Sequence, residues 1–167
     1  MSLFNECKQE LQHLLDEVSG LHRETFTLME KVQSVSTFGL EGLDIKGEWK
    51  GTDKKFKRLI LRVKYKAEEL SMFSNQRVFS EKQAEEIREL WNTVLAKIQA
   101  TSSLIKDAID ALRSNNFFVE IILWFEELWE SVKTALRVAA KVIVQGAALM
   151  MGGSLEPMFL PPSNQQY

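Results

Sequence analysis

The residues that could do chemistry in this chain begin with a Glu-x-x-His pair. Glu10 and His13 have the spacing of half a di-iron helix motif. That motif requires a second Glu-x-x-His and two further inward carboxylates. The other histidine, His22, has Ser19 three residues before it, so the second half is missing. We therefore expect no metal site.

Two other fragments of catalytic motifs lack the residues that must accompany them. Ser103 and Lys106 have the spacing of a serine acyl-enzyme motif, but its Ser-Asp-Asn and Lys-Thr-Gly partners are missing. Gly42 and Gly47 are spaced as in a phosphate-binding loop, yet Glu-Trp follows where Lys and Ser/Thr are required. No arrangement of Cys, His and acid offers an activated nucleophile. The sequence predicts a protein that is not an enzyme and has no cofactor.

The composition is that of an ordinary single domain. A chain of 167 residues can bury a sizeable core, and its formal net charge is −2. The single Cys7 excludes an intrachain disulfide and fits a reducing compartment. Charged residues follow the first methionine closely, and no run of about 20 apolar residues occurs. We expect a cytoplasmic protein, with membrane association left open.

The sharpest charge feature is a basic stretch on the second predicted helix. Residues 54–66 contain no acid and hold a third of the basic residues of the chain. Such a face attracts anionic lipid headgroups or nucleic-acid phosphates. The alternative is a solvated face paired with acidic neighbours. The predicted basic face comprises Lys54, Lys55, Arg58, Arg62 and Lys66.

Long helices must position these groups, and heptad patterns predict two of them. Apolar residues recur with alternating gaps of three and four over residues 3–35, and again from a capping box at Ser80 and Gln83 to about Arg113. Both stripes are wide, which favours a helical bundle over a two-stranded coil. Charged residues flank the first stripe at every seventh position: Glu10, Glu17, Glu24 and Lys31.

The connection between the first two helices is the least regular part of the pattern. Residues 36–52 contain four glycines, so we expect a long irregular connection, with the second helix starting near Asp53 and Thr52 as its N-cap. A connection of this length can cross the bundle or fold back. The direction of the second helix therefore stays open.

The fourth predicted helix covers residues 116–151 and is apolar nearly all round at both ends. A short reversal at residues 114–116 makes it antiparallel to the third helix. Its apolar ends must be buried by neighbours, a partner or lipid. The predicted apolar contact residues are Phe117, Phe118, Ile121, Trp124, Phe125, Leu149 and Met150.

Together these patterns predict an all-α four-helix bundle over residues 1–153, followed by a flexible Pro-containing tail over residues 154–167. The favoured function is self-association, or binding of a helical partner, through the apolar helix ends. The first alternative is a membrane-active bundle that binds an anionic surface or forms an oligomeric pore. The second alternative is nucleic-acid or capsid-type binding through the basic helix at residues 53–70.

Overall fold

The structure is a computed structural model that describes residues 2–38, 42–113, 119–141, 143–144 and 147–148. Side chains are described within these ranges except at residues 33–38, 42–44, 46 and beyond 141. The predicted tail at residues 154–167 and the reversal at residues 114–116 lie outside the described part.

Within the described residues, four helices form a bundle, which confirms the predicted fold class. They are α1 (Leu3–Phe38), α2 (Gly42–Gln76), α3 (Glu81–Leu112) and α4 (Val119–Ala140). Two short strands, β1 (Ile143–Val144) and β2 (Ala147–Ala148), pair antiparallel after α4.

Contacts between the helices give their directions. Ion pairs join Lys31 to Glu48 and Glu10 to Lys66, so α2 runs antiparallel to α1. Lys8 pairs with Glu86 and His22 contacts Thr101, so α3 runs parallel to α1. The Trp91 indole of α3 donates to the Ala139 carbonyl at the end of α4, over 3.0 Å, so α4 runs antiparallel to α3 and the directions alternate along the chain. The direction of the second helix, which the sequence left open, is thereby established.

The neighbours in the bundle are not all consecutive in the chain. Both α1 and α4 pack against α2 and against α3. The α2–α3 connection therefore spans a diagonal of the bundle. Arg77 begins this connection with a left-handed backbone (φ 51°), a conformation that commonly ends helices.

The predicted stripes form the core. Among the side chains that the structure describes, Trp91, Phe56 and Phe125 are the bulkiest that are fully buried, and each comes from a different helix. Burying a side chain of this kind contributes about 1.5–3 kcal/mol. The predicted capping box is also present, because the Ser80 hydroxyl accepts from the Gln83 amide and the Gln83 side chain accepts from the Ser80 amide.

The predicted start of the second helix is wrong. α2 begins at Gly42 rather than near Asp53, and Thr52 is a buried helical residue rather than an N-cap. Ile45 and Trp49 are buried at helical spacing with Phe56, so core burial outweighs a cost of about 1 kcal/mol for each interior glycine. A Cβ at Gly47 or Gly51 would meet nothing within 4 Å, so no close packing requires a glycine there.

The predicted length of the fourth helix is also wrong. α4 ends at Ala140, not at Met151, and the chain continues as β1 and β2. The sequence that follows α4 contains Val142-Ile143-Val144 and Gly146. Three consecutive β-branched residues and the glycine that comes after them favour extended backbone over helix, which fits the earlier end.

Candidate functional site

The five residues of the predicted basic face do not share one environment. Lys54, Lys55, Arg58 and Arg62 are exposed, whereas Lys66 is buried between α1 and α2, with 10% of its side chain exposed. Three of the five pair with carboxylates of α1. Most of the predicted face is therefore occupied by contacts within the bundle.

These pairs form a ladder along the α1–α2 seam. In three of the pairs α1 provides the carboxylate, from positions that recur at every seventh residue, and α2 provides the cation. In the fourth pair α1 provides the lysine and α2 the carboxylate. Charges that flank an apolar seam fix the direction and register of two helices. The rungs are Glu10–Lys66 (2.7 Å), Glu17–Arg62, Glu24–Lys55 (2.9 Å) and Glu48–Lys31 (2.6 Å).

Lys66 is the most enclosed cation of the ladder. Its burial lowers the pKa of the ammonium, but hydrogen bonds to Glu10 and Glu69 outweigh that effect, and the pKa is raised above its usual value. Nearby, burial raises the pKa of the Cys7 thiol to about 11. Lys66 therefore stays charged and Cys7 stays protonated at neutral pH. The two carboxylate partners of Lys66 come from α1 and α2 of the bundle.

Lys54 and Arg58 are the members of the basic face that form no ion pair with any described residue. Along the same outward line of α2 lie Leu61, Tyr65 and Met72, which are 54%, 70% and 47% exposed. The spacing of these five residues keeps them on one helical face. We call Lys54, Arg58, Leu61, Tyr65 and Met72 the α2 stripe.

The sequence pattern assigned Lys54 and Arg58 to a surface but did not single out Leu61 and Met72 beside them. Phe56, Leu59 and Val63 form the buried face of α2. Leu61, Tyr65 and Met72 lie outside that face. Apolar residues outside a helix's own buried face are the signal that could have identified them. Exposed apolar side chains that line up on one face are more informative than single ones.

The predicted apolar contact residues divide between the core and the undescribed chain. Ile121 and Phe125 are buried in the bundle. Trp124 is half-buried and stacks on Trp49, with ring centroids 6.4 Å apart and planes inclined by 4°. The remaining four, Phe117, Phe118, Leu149 and Met150, lie outside the described residues.

α4 presents a different exposed face next to α2. Val119 and Leu123 are more than half exposed, and Glu127 and Glu130 are exposed further along the helix. Glu130 accepts an ion pair from Lys133, 3.0 Å away. The exposed face of α2 therefore combines basic and apolar side chains, and the exposed face of α4 beside it combines acidic and apolar side chains.

Two residues from the fragments of catalytic motifs form ion pairs within the bundle. The Glu10 carboxylate pairs with Lys66, and Lys106 pairs with Asp110 at 3.3 Å. Within the described ranges, no three His, Cys, Asp or Glu residues are grouped to hold a metal ion. None of the described helices combines the length and apolar character needed to cross a bilayer.

Comparison with protein-family models, with curated proteins and with solved structures finds no match to this chain.

Proposed function

We propose that this chain is a non-enzymatic helical bundle that functions by self-association through the α2 stripe. The observation that carries the proposal is the line of Leu61, Tyr65 and Met72, all about half exposed or more, on a helix whose opposite face is buried. Aromatic and methionine side chains are enriched in protein interfaces. Lys54 and Arg58 add charge at one end of the same line.

Charge complementarity favours a second copy as the partner. Trp49 stacks on Trp124 and α2 runs parallel to α4, so Lys54 and Arg58 lie about level with Glu130. A two-fold axis parallel to the helices would set the basic part of each α2 against the acidic face of the other copy's α4. Such an isologous contact repeats every favourable pair twice.

The test is the mass of the purified chain as a function of concentration, measured by sedimentation or light scattering. The variant is Leu61→Ser with Tyr65→Ser, and both sites are exposed, so the fold is retained. The matched control is Phe26→Ser, which removes an apolar residue that is 50% exposed on α1. We expect association in the wild type and in the control, and a loss of at least ten-fold in affinity in the double variant. Equal affinity of self-association in the double variant and in the Phe26→Ser control would reject the α2 stripe as the interface.

An anionic membrane surface is the second candidate. The favouring observation is that Lys54 and Arg58 lie unpaired, among described residues, beside exposed Leu61 and Tyr65. Basic residues contribute about 1 kcal/mol each near an anionic surface, and aromatic side chains favour the interface. Nucleic acid has weaker support, because Lys55, Arg62 and Lys66 are already paired within the bundle.

Vesicle sedimentation separates this candidate from self-association. The variant Lys54→Glu with Arg58→Glu should abolish binding to anionic vesicles, whereas Lys82→Glu, an exposed charge change on α3, should not. Binding that is absent from anionic vesicles in the wild type would reject the membrane reading. Salt-sensitive binding to oligonucleotides without vesicles would instead favour nucleic acid.

A further inference from the structure

A groove runs between α2 and α4 at the end of the bundle where α4 stops. Its volume is about 590 Å³, and both helices contribute to its walls. Met72 and Val138 line it and are 47% and 37% exposed. Ser71, Asn75 and Gln76 bring polar side chains to the same groove. It can accept a short apolar segment whose backbone needs hydrogen-bond partners.

The chain leaves the bundle beside this groove. Lys141, the residue after α4, is part of the groove wall, and β1 packs against α2. The described chain ends at Ala148, and the sequence continues to residue 167. Ten residues lie between Ala148 and Phe159, and the eleven Cα-to-Cα steps span about 36 Å when extended. The groove portion of α2, residues 67–76, is about 14 Å long, so the tail can reach all of it.

We infer that the segment Met158-Phe159-Leu160 of this same chain docks into the α2–α4 groove. These three apolar residues stand between Pro157 and Pro161. Proline fixes φ and biases the residue before it towards extended backbone, so the triplet is suited to lie along a groove rather than form a helix. The polar groups of Ser71, Asn75 and Gln76 can pair with the extended backbone, which would otherwise lose its hydrogen bonds to water.

Docking in this position would limit access to the α2 stripe. Met72 belongs both to the groove and to the stripe. A docked tail covers it and leaves Leu61 and Tyr65 open. The inference itself does not depend on what binds the stripe, because the groove and the tail belong to one chain.

Disulfide trapping tests the contact directly. The variant carries Met72→Cys and Phe159→Cys; the control carries Leu123→Cys and Phe159→Cys. Leu123 is 57% exposed on the same helix as Val138, but about 22 Å from it. Cys7 does not interfere, because its thiol is buried and its pKa is about 11. We expect an intramolecular disulfide to form at least ten-fold faster at the 72–159 pair than in the control.

Two results would overturn the inference. Equal rates for the two pairs would mean that the tail has no preference for the groove. A disulfide-linked dimer at the 72–159 pair would assign the groove to a second copy instead.

A second measurement uses NMR of the methionine methyl groups in the chain that retains Met72. A docked Phe159 ring shifts the Met72 methyl signal, and Phe159→Ser should move that signal while leaving the buried Met29 signal unchanged. An unchanged Met72 signal would also reject docking.

Discussion

Lys66 has the environment from which a mutational effect can be worked out most fully. Its ammonium lies 2.7 Å from Glu10 and 2.8 Å from Glu69, and 10% of the lysine side chain is exposed. The two carboxylates are more open, at 54% and 36%. Removing the acids therefore leaves an enclosed charge uncompensated. Removing the lysine leaves two carboxylates that water still reaches.

This asymmetry predicts the order of two mutational effects. Glu10→Gln with Glu69→Gln should lower the free energy of unfolding at pH 7 by about 2 kcal/mol, because the enclosed ammonium loses both of its charged partners. Lys66→Met should cost about 1 kcal/mol or less, since the methionine keeps the apolar packing of the lysine stem and its loss of charge strands nothing buried. Urea unfolding measures both values.

Wild type and the double glutamine variant should also differ in how their stability depends on pH. In the wild type the Lys66 pKa is raised above 10.5 on folding, so its contribution is complete below that pH and is lost as the pH rises through the folded pKa. In the double glutamine variant burial lowers that pKa without opposing carboxylates, so stability relative to wild type should recover as the pH rises towards 10.5. A larger loss in Lys66→Met than in the double variant, or parallel pH profiles, would refute this account of the site.

The remaining predictions concern the core, the start of α2 and one histidine. Phe125→Ala should lower the free energy of unfolding by about 4 kcal/mol, because Phe125 is fully buried. Leu123→Ala, at an exposed site two residues away, should change that free energy by about 0.5 kcal/mol or less. Urea unfolding measures both values, and similar losses would contradict the burial of Phe125. Gly51→Ala should raise stability by about 0.5–1 kcal/mol in thermal unfolding, since the site is helical and open; destabilisation would indicate that residue 51 is not in a helix. Burial, followed by the charge of Lys97, lowers the pKa of His22 below 6.5 in the folded protein. Neutral His22 therefore contributes stability above pH 6.5, and this stability is lost as the pH falls through the pKa of the folded state. Urea unfolding from pH 7.5 to pH 5 should show a steeper decline in wild type than in His22→Gln, and equal slopes would exclude this contribution.

The sequence predicted the bundle because its heptad stripes are local and redundant. Leu11, Leu14 and Val18 are all buried as their spacing predicted. The start of α2 could not be read in the same way, since four glycines locally favour an irregular chain. Trp49 and Ile45 become helical because they reach a core that other helices provide. Tertiary burial, not local propensity, decides that segment.

The candidate site was only partly predictable for a related reason. Lys54 and Arg58 were identified as basic surface residues, but Lys55, Arg62 and Lys66 were grouped with them. Their carboxylate partners are on α1, and pairing depends on the direction of α2, which the sequence did not determine. The seven-residue spacing of the α1 acids was visible, whereas their register against α2 required the structure.

Self-association through the outward face of α2 can be measured by the light-scattering mass of wild type and of Leu61→Ser with Tyr65→Ser. The series covers a range of concentrations at low and high salt, with and without anionic vesicles. We expect a discrete oligomer in wild type that forms without vesicles, and a monomer in the double variant at the same concentrations. A wild-type monomer at all concentrations, or an oligomer that the double variant retains, would contradict it.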